Sequence, residues 1–193
     1  MTDLATPLSA DIRKNLRAGD SVTLSGTVYT ARDAAHARLY TMIQSDEPLP
    51  LEIVGCGIYY AGPCPDMPGR VINSCGPTTS SRMNVYAPTL YDMGLHFVIG
   101  KGPVSQDVRD AIVRNNAVYF AAVGGAGALI ASHITAAKDI AFADLGAEAI
   151  RLLTFDRVPL IVAIDSQGNS VYDRLKSSHA LYARFAALPY KNT

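Results

Sequence analysis

A chain of 193 residues has room for one domain with a sizeable core, and 49% hydrophobic against 18% charged residues excludes a disordered, charge-rich polymer. Seventeen basic residues balance seventeen acidic ones, so bulk charge recruits neither nucleic acid nor an anionic membrane surface, and any anion site has to be local. No run nears the roughly 18 apolar residues of a membrane span, and the polar start MTDLATPLSADIRKNLRAGD lacks a signal-peptide core, so a cytoplasmic protein is expected.

Ser21 to Thr30 is β-branched and alternates with period two, which predicts a strand after the Gly19-Asp20 turn. Arg32 to Ile43 predicts a helix with Ala35, Leu39 and Met42 on one face and Arg32 and His36 on another. A cation at a helix start opposes the macrodipole and becomes tolerable if an anion is bound there. Ser45 to Pro50 reads as a loop, Gly57 to Gly62 as a short buried strand, Cys64 to Gly69 as a second loop and Arg70 to Ser74 as a further short strand. Met83, Tyr86, Leu90 and Met93 then recur at helical spacing, with Pro88 placed to kink or delay that helix. His96 to Ile99 predicts a strand, Gly100 to Pro103 a turn, and Ser105 to Asn115 a helix capped by Ser105. Val118 to Val123 predicts another strand, feeding Gly124-Gly125-Ala126-Gly127 and an alanine-rich helix to His133. Pro159 to Asp165 is an apolar run closed by Ser166-Gln167-Gly168-Asn169, a hairpin turn into Ser170 to Tyr172. This alternation argues an α/β fold, a single layered domain around a largely buried sheet.

Three stretches could carry chemistry. In Thr30-Ala31-Arg32-Asp33-Ala34-Ala35-His36 a strand end delivers an arginine to a helix start, where ligands of α/β sheets gather. A plainer alternative stays open, in which Arg32 pairs with a surface carboxylate and His36 is a solvated or core histidine. Ser74 to Met83 concentrates hydroxyls and Arg82 around a Gly-Pro turn, either an anion cradle or an ordinary helix cap. Gly100-Lys101-Gly102 offers an ammonium between glycines, and a solvated turn lysine is its plain counterpart. The Gly124 to Gly127 run departs from G-x-G-x-x-G, so close packing explains it better than a nucleotide does. Cys56, Cys64 and Cys75 match no ferredoxin spacing and no disulfide framework. The clusters bring together cations and hydroxyls without paired carboxylates or metal-ligand spacing, which fits a dicarboxylate-binding half of a catalyst.

GTVYTARDAAHARL, YYAGPCP, INSCGPTTSSRM, FVIGKG, YFAAVGGAGALIA and PLIVAIDSQGN, in that order, resemble the C-terminal domain of class I fumarases and the β-subunits of two-subunit fumarases and L-tartrate dehydratases. The resemblance covers roughly Leu8 to Tyr172. It implies a swivelling β/β/α domain that closes over a separate α-subunit holding a [4Fe-4S] cluster by three cysteines, with the cluster's open iron as Lewis acid. It implies that Cys56, Cys64 and Cys75 are not the ligands, and that this chain holds no metal. Carried over by motif, Arg32 binds a substrate carboxylate by a bidentate contact, Thr78 is the candidate proton-transferring group, Arg82 grips the substrate beside it, and Lys101 contacts a further carboxylate. His36 is an orienter of Arg32.

The expectation is one domain over residues 1–193 with its core at about 8–175, acting as the β-subunit of a fumarate hydratase. It would hydrate fumarate reversibly to L-malate in a hetero-oligomer with the cluster-binding α-subunit. The alternatives are an L-tartrate dehydratase β-subunit, or that of another small-dicarboxylate hydro-lyase, and a non-catalytic dicarboxylate-binding module.

Overall fold

The computed structural model describes residues 1–64, 68–122 and 125–173. Residues 65–67 of the second expected loop, Val123 of the strand expected from Val118, Gly124 of the glycine run, and 174–193 of the expected domain lie outside the described residues.

Strand β1 (Thr2–Ala5) leads into helix α1 (Ala10–Asn15), which Ser9 caps by accepting from the Ile12 amide at 3.2 Å. β2 (Ser21–Thr30) and α2 (Asp33–Gln44) follow, and α2 buries Ala35, His36 and Leu39. β3 (Gly57–Tyr59), α3 (Ala87–Asp92), β4 (Phe97–Gly100), α4 (Gln106–Arg114) and β5 (Val118–Ala121) continue the alternation. In α4 Ser105 caps the start, Asp107 lies in the first turn and Arg114 in the last, so charge complements the macrodipole at both ends. α5 (Gly127–Ser132), β6 (Ile134–Ala141) and the fifteen-residue β7 (Ile150–Ile164) complete the described elements.

The α/β expectation holds, and the sheet goes further than a flat layer. β2, β3, β4 and β5 lie side by side and parallel, while β7 runs antiparallel to both β5 and β2 and so joins the two ends of that row. The five strands close into a barrel-like ring; β1 extends β2 in parallel and β6 extends β7 antiparallel. Apolar residues of all five ring strands, among them Leu24, Tyr59, Phe97, Phe120 and Phe155, meet in one buried cluster. The alternate positions, Ile58, Tyr60, Val98 and Tyr119, pack outward with Leu39, Leu90 and Ile112 of the helices in a second. Strands buried on both faces read as continuous apolar runs, which is what made β3 to β5 recognisable.

Three expectations need correction. Arg70 to Ser74 forms no strand, because both edges of the nearby β3 are taken by β2 and β4; the segment instead meets the Cys64 amide through the Ser74 carbonyl at 2.9 Å. The helix expected from Met83 is split: a 3₁₀ turn covers Ser80–Met83 and α3 starts only at Ala87. Pro88, lacking an amide hydrogen, fits the first turn of a helix and not its interior. Beyond the Ser166–Asn169 turn, Ser170 makes a single antiparallel bridge to Ile164, and no strand follows among the described residues.

Candidate functional site

The three stretches singled out in the sequence converge on one rim, the C-terminal ends of the parallel strands β2, β3 and β4. Arg32 follows β2, Gly62 lies just past β3, and Lys101 follows β4. Segment 77–80 threads between the last two strands: Pro77 bridges Ala61, the Thr78 amide donates to the Tyr60 carbonyl at 2.6 Å, and Thr79 bridges Lys101.

Ser80 pins that segment in place. It is fully buried, its amide donates to the Lys101 carbonyl at 2.9 Å, its hydroxyl accepts from the Lys101 amide at 3.1 Å and lies 2.8 Å from the Tyr119 hydroxyl. A Cβ at Gly100 would stand 2.0 Å from the Ser80 hydroxyl oxygen. The first glycine of G-K-G therefore makes room for the loop carrying Thr78 and Arg82.

Arg32 sits at the N-cap of α2 and places its Nη2 2.8 Å from Glu148 Oε1, while Glu148 Oε2 accepts from the Ala34 amide at 2.7 Å. The anion expected at this helix start is thus supplied from within the chain, and the plainer alternative for Arg32, pairing with a carboxylate, is realised. The two side chains remain 27% and 21% exposed, so the pair is not sealed from an incoming ligand. Arg82, 53% exposed, reaches Asp33 with its Nε at 2.7 Å. Two guanidiniums and two carboxylates thereby form two ion pairs at this edge of the rim.

His36 lies beneath this edge, 1% exposed, edge-on to Tyr60 at 5.0 Å between ring centres. Its amide and its Nδ1 both meet the Arg32 carbonyl, at 2.8 and 3.0 Å, which fixes the backbone that presents the arginine. Burial pushes the imidazole down to about 4 against the opposing pull of that carbonyl and of Asp33, so it is neutral at physiological pH. Nδ1 then carries the proton, and Nε2 is buried without a hydrogen-bond partner.

The three cysteines are free. Burial pushes Cys56 and Cys75 each up to about 12, so both are neutral thiols at physiological pH, and Cys64 is exposed. Among the described residues no group of three or more His, Cys, Asp or Glu side chains is placed to hold a metal ion.

The structure therefore brings Arg32, Thr78, Arg82 and Lys101 to one rim, with His36 supporting it. Sequence reasoning missed Asp33 and Glu148 as partners of the arginines. Asp33 was visible beside Arg32; Glu148 had no local signal, since it lies 116 residues from Arg32. Such an arrangement offers cations and a hydroxyl to a small anion and leaves further groups to be supplied from outside.

A family model described as Fumarase C-terminus matches residues 2–175. "Fumarate hydratase 2" of Leishmania major is 34% identical over 177 residues, covering 89% of this chain and 31% of the relative. "Fumarate hydratase class I, aerobic" of Salmonella typhimurium is 32% identical over 192 residues, covering 96% of this chain and 33% of the relative. A protein of Methanocaldococcus jannaschii named "Putative L(+)-tartrate dehydratase subunit beta" is 38% identical over 168 residues, covering 84% of this chain and 86% of the relative. The chain spans about a third of the length of these fumarate hydratases and most of that of the dehydratase subunit.

Proposed function

The chain belongs to the Fumarase C-terminus family, and from that premise we propose that it is the β-subunit of a class I fumarate hydratase, hydrating fumarate reversibly to L-malate in a hetero-oligomer. The [4Fe-4S] cluster belongs to a separate α-subunit, in keeping with relatives some three times as long. The domain, one unit over 1–193 with its core at about 8–175, swivels as a β/β/α body to close over that partner. It acts in the cytoplasm.

What carries the reading is the shared rim. Arg32, Arg82 and Lys101 bind the two carboxylates of the substrate, and Thr78 moves the proton at C3. With Asp33 and Glu148 offsetting two guanidiniums, the Lys101 ammonium is the surplus charge that draws a dianion in. A threonine hydroxyl is a weak acid, and Arg82, four residues on, lowers the cost of its alkoxide-like form. His36 orients Arg32 through its carbonyl.

The dehydratase relative, similar in length as well as sequence, favours a second reading, an L-tartrate dehydratase β-subunit acting with its own α-subunit. Malate and tartrate differ by one hydroxyl, which a hydrogen-bonding site can discriminate by orders of magnitude. Co-expression with a cluster-binding subunit decides between them. The pair should be brown and should hydrate fumarate under anaerobic conditions, with kcat/KM on fumarate above that on tartrate. The reverse preference selects the second reading, and a stable pair with an intact cluster and activity on neither overturns both.

A further inference from the structure

We propose that Glu148 is a positioning residue for substrate binding: it holds the Arg32 guanidinium and the first turn of α2 in one arrangement, so that Arg32 meets a substrate carboxylate already oriented. The proposal rests on the reading of Arg32 as a carboxylate ligand.

Glu148 uses both oxygens on two different parts of the same structure. One oxygen takes Nη2 of Arg32 and the other the Ala34 amide, so side chain and helix start are fixed together. Its own backbone is held from both directions. On one side the buried Thr30 hydroxyl, at the end of the strand that delivers Arg32, donates to the Ala149 carbonyl at 3.3 Å and accepts from the Arg151 amide at 3.0 Å. On the other, Asp144 makes two contacts of 2.8 Å to Arg38 of α2, whose guanidinium also lies 4.7 Å from the Phe142 ring centre. The carboxylate is charged where it sits. Burial pushes it up, yet the Ala34 amide and Arg32 outweigh burial and hold it below the usual glutamate value. Arg32 meanwhile leaves its Nε buried with no partner, an arrangement a long side chain abandons unless another contact holds it.

Kinetics of the enzyme assembled with its cluster-binding subunit test this. Glu148→Ala should raise KM for the dicarboxylate about tenfold, with kcat within about threefold, and should add nothing in an Arg32→Ala background. Asp92→Ala, which breaks an exposed ion pair with Arg114 away from the rim, should leave both parameters unchanged. An unchanged or lower KM for Glu148→Ala, or additive losses in the double variant, overturns the proposal. If Arg32→Ala alone leaves KM unchanged, the reading of the rim fails instead. Independently of activity, Arg32→Ala in the isolated chain should raise the Glu148 titration followed by NMR, and an unmoved titration overturns the hold.

Discussion

Arg13 and Arg32 are both drawn away from bulk water, and the chain satisfies them by opposite means. Arg13, 6% exposed, donates from Nε to the Asn116 carbonyl at 2.7 Å, and from Nη1 to the Leu8 carbonyl and to Nδ1 of His96 at 2.7 Å. These acceptors are neutral; His96 and Asn116 lie just before β4 and β5, at the N-terminal ends of the parallel strands, and Leu8 lies just ahead of α1. Arg32 stands at the opposite ends and faces a carboxylate. His96 can accept only while neutral, and burial together with the Arg13 charge pushes its pKa down, outweighing a backbone contact at Leu8. A guanidinium enclosed by carbonyls ties loops together and has no vacancy for a ligand. One that is neutralised by a carboxylate and left partly exposed can take a second anion beside the first.

The strongest way to sharpen this contrast is to remove the hydroxyl on the rim. Thr78→Ala should lower kcat of the assembled enzyme by about 10²–10⁴-fold with KM changed only a few-fold; loss of binding with turnover intact would leave the rim a binding surface only. The two arginines should then separate cleanly. Arg13→Ala is expected to cost about 3 kcal/mol in urea unfolding with kcat/KM unchanged, since it strands two carbonyls. Arg32→Ala should cost about 100-fold in kcat/KM with a smaller loss of stability. Equal kinetic losses would erase the distinction.

Acid probes the imidazole beneath the rim. His36 is neutral in the folded chain, with a value lowered from 6.5 to about 4, whereas the unfolded chain takes up a proton near 6.5. Its contribution is therefore complete above about pH 6.5 and lost as pH falls toward 4, a total of about 3 kcal/mol with roughly 2 gone by pH 5. Denaturant titrations at pH 7 and 5 measure this, and His36→Gln should flatten most of the slope. The smallest effect belongs to Gly62→Ala, whose new methyl would stand 2.9 Å from the Ala147 carbonyl and 3.0 Å from Arg32 Nη1. It should raise KM a few-fold and cost about 1 kcal/mol, read from kinetics and thermal melts.

The parts legible in the sequence were those whose signals are local. β3, β4 and β5 are apolar runs bounded by Gly and Pro, and α4 announces itself through Ser105. β6 escaped because its burial is slight and irregular, so no alternation marks it. β7 was read only from Pro159 onward because Asp156 and Arg157, the latter with φ 54° at the register shift opposite Leu24 and Gly26, interrupt its pattern. β1 and α1 are too short and polar to stand out. At the rim, the cations and the hydroxyl sit in compact motifs, whereas the Glu148 carboxylate is brought to Arg32 by ring closure, which no window of sequence contains.

That closure also dictates when the rim can exist. The Thr30 hydroxyl that braces Glu148 meets Arg151 across 121 residues of chain, and β7 cannot pair with β2 until everything between them has been made and gathered in. Contacts of such long range form slowly, because the entropy of closing the loop is lost before the pairing rewards it. During synthesis the helices and the parallel row from β2 to β5 can collapse early, but Arg32 waits for its brace until β7 arrives, so the edge that holds Arg32 is completed only when the ring closes.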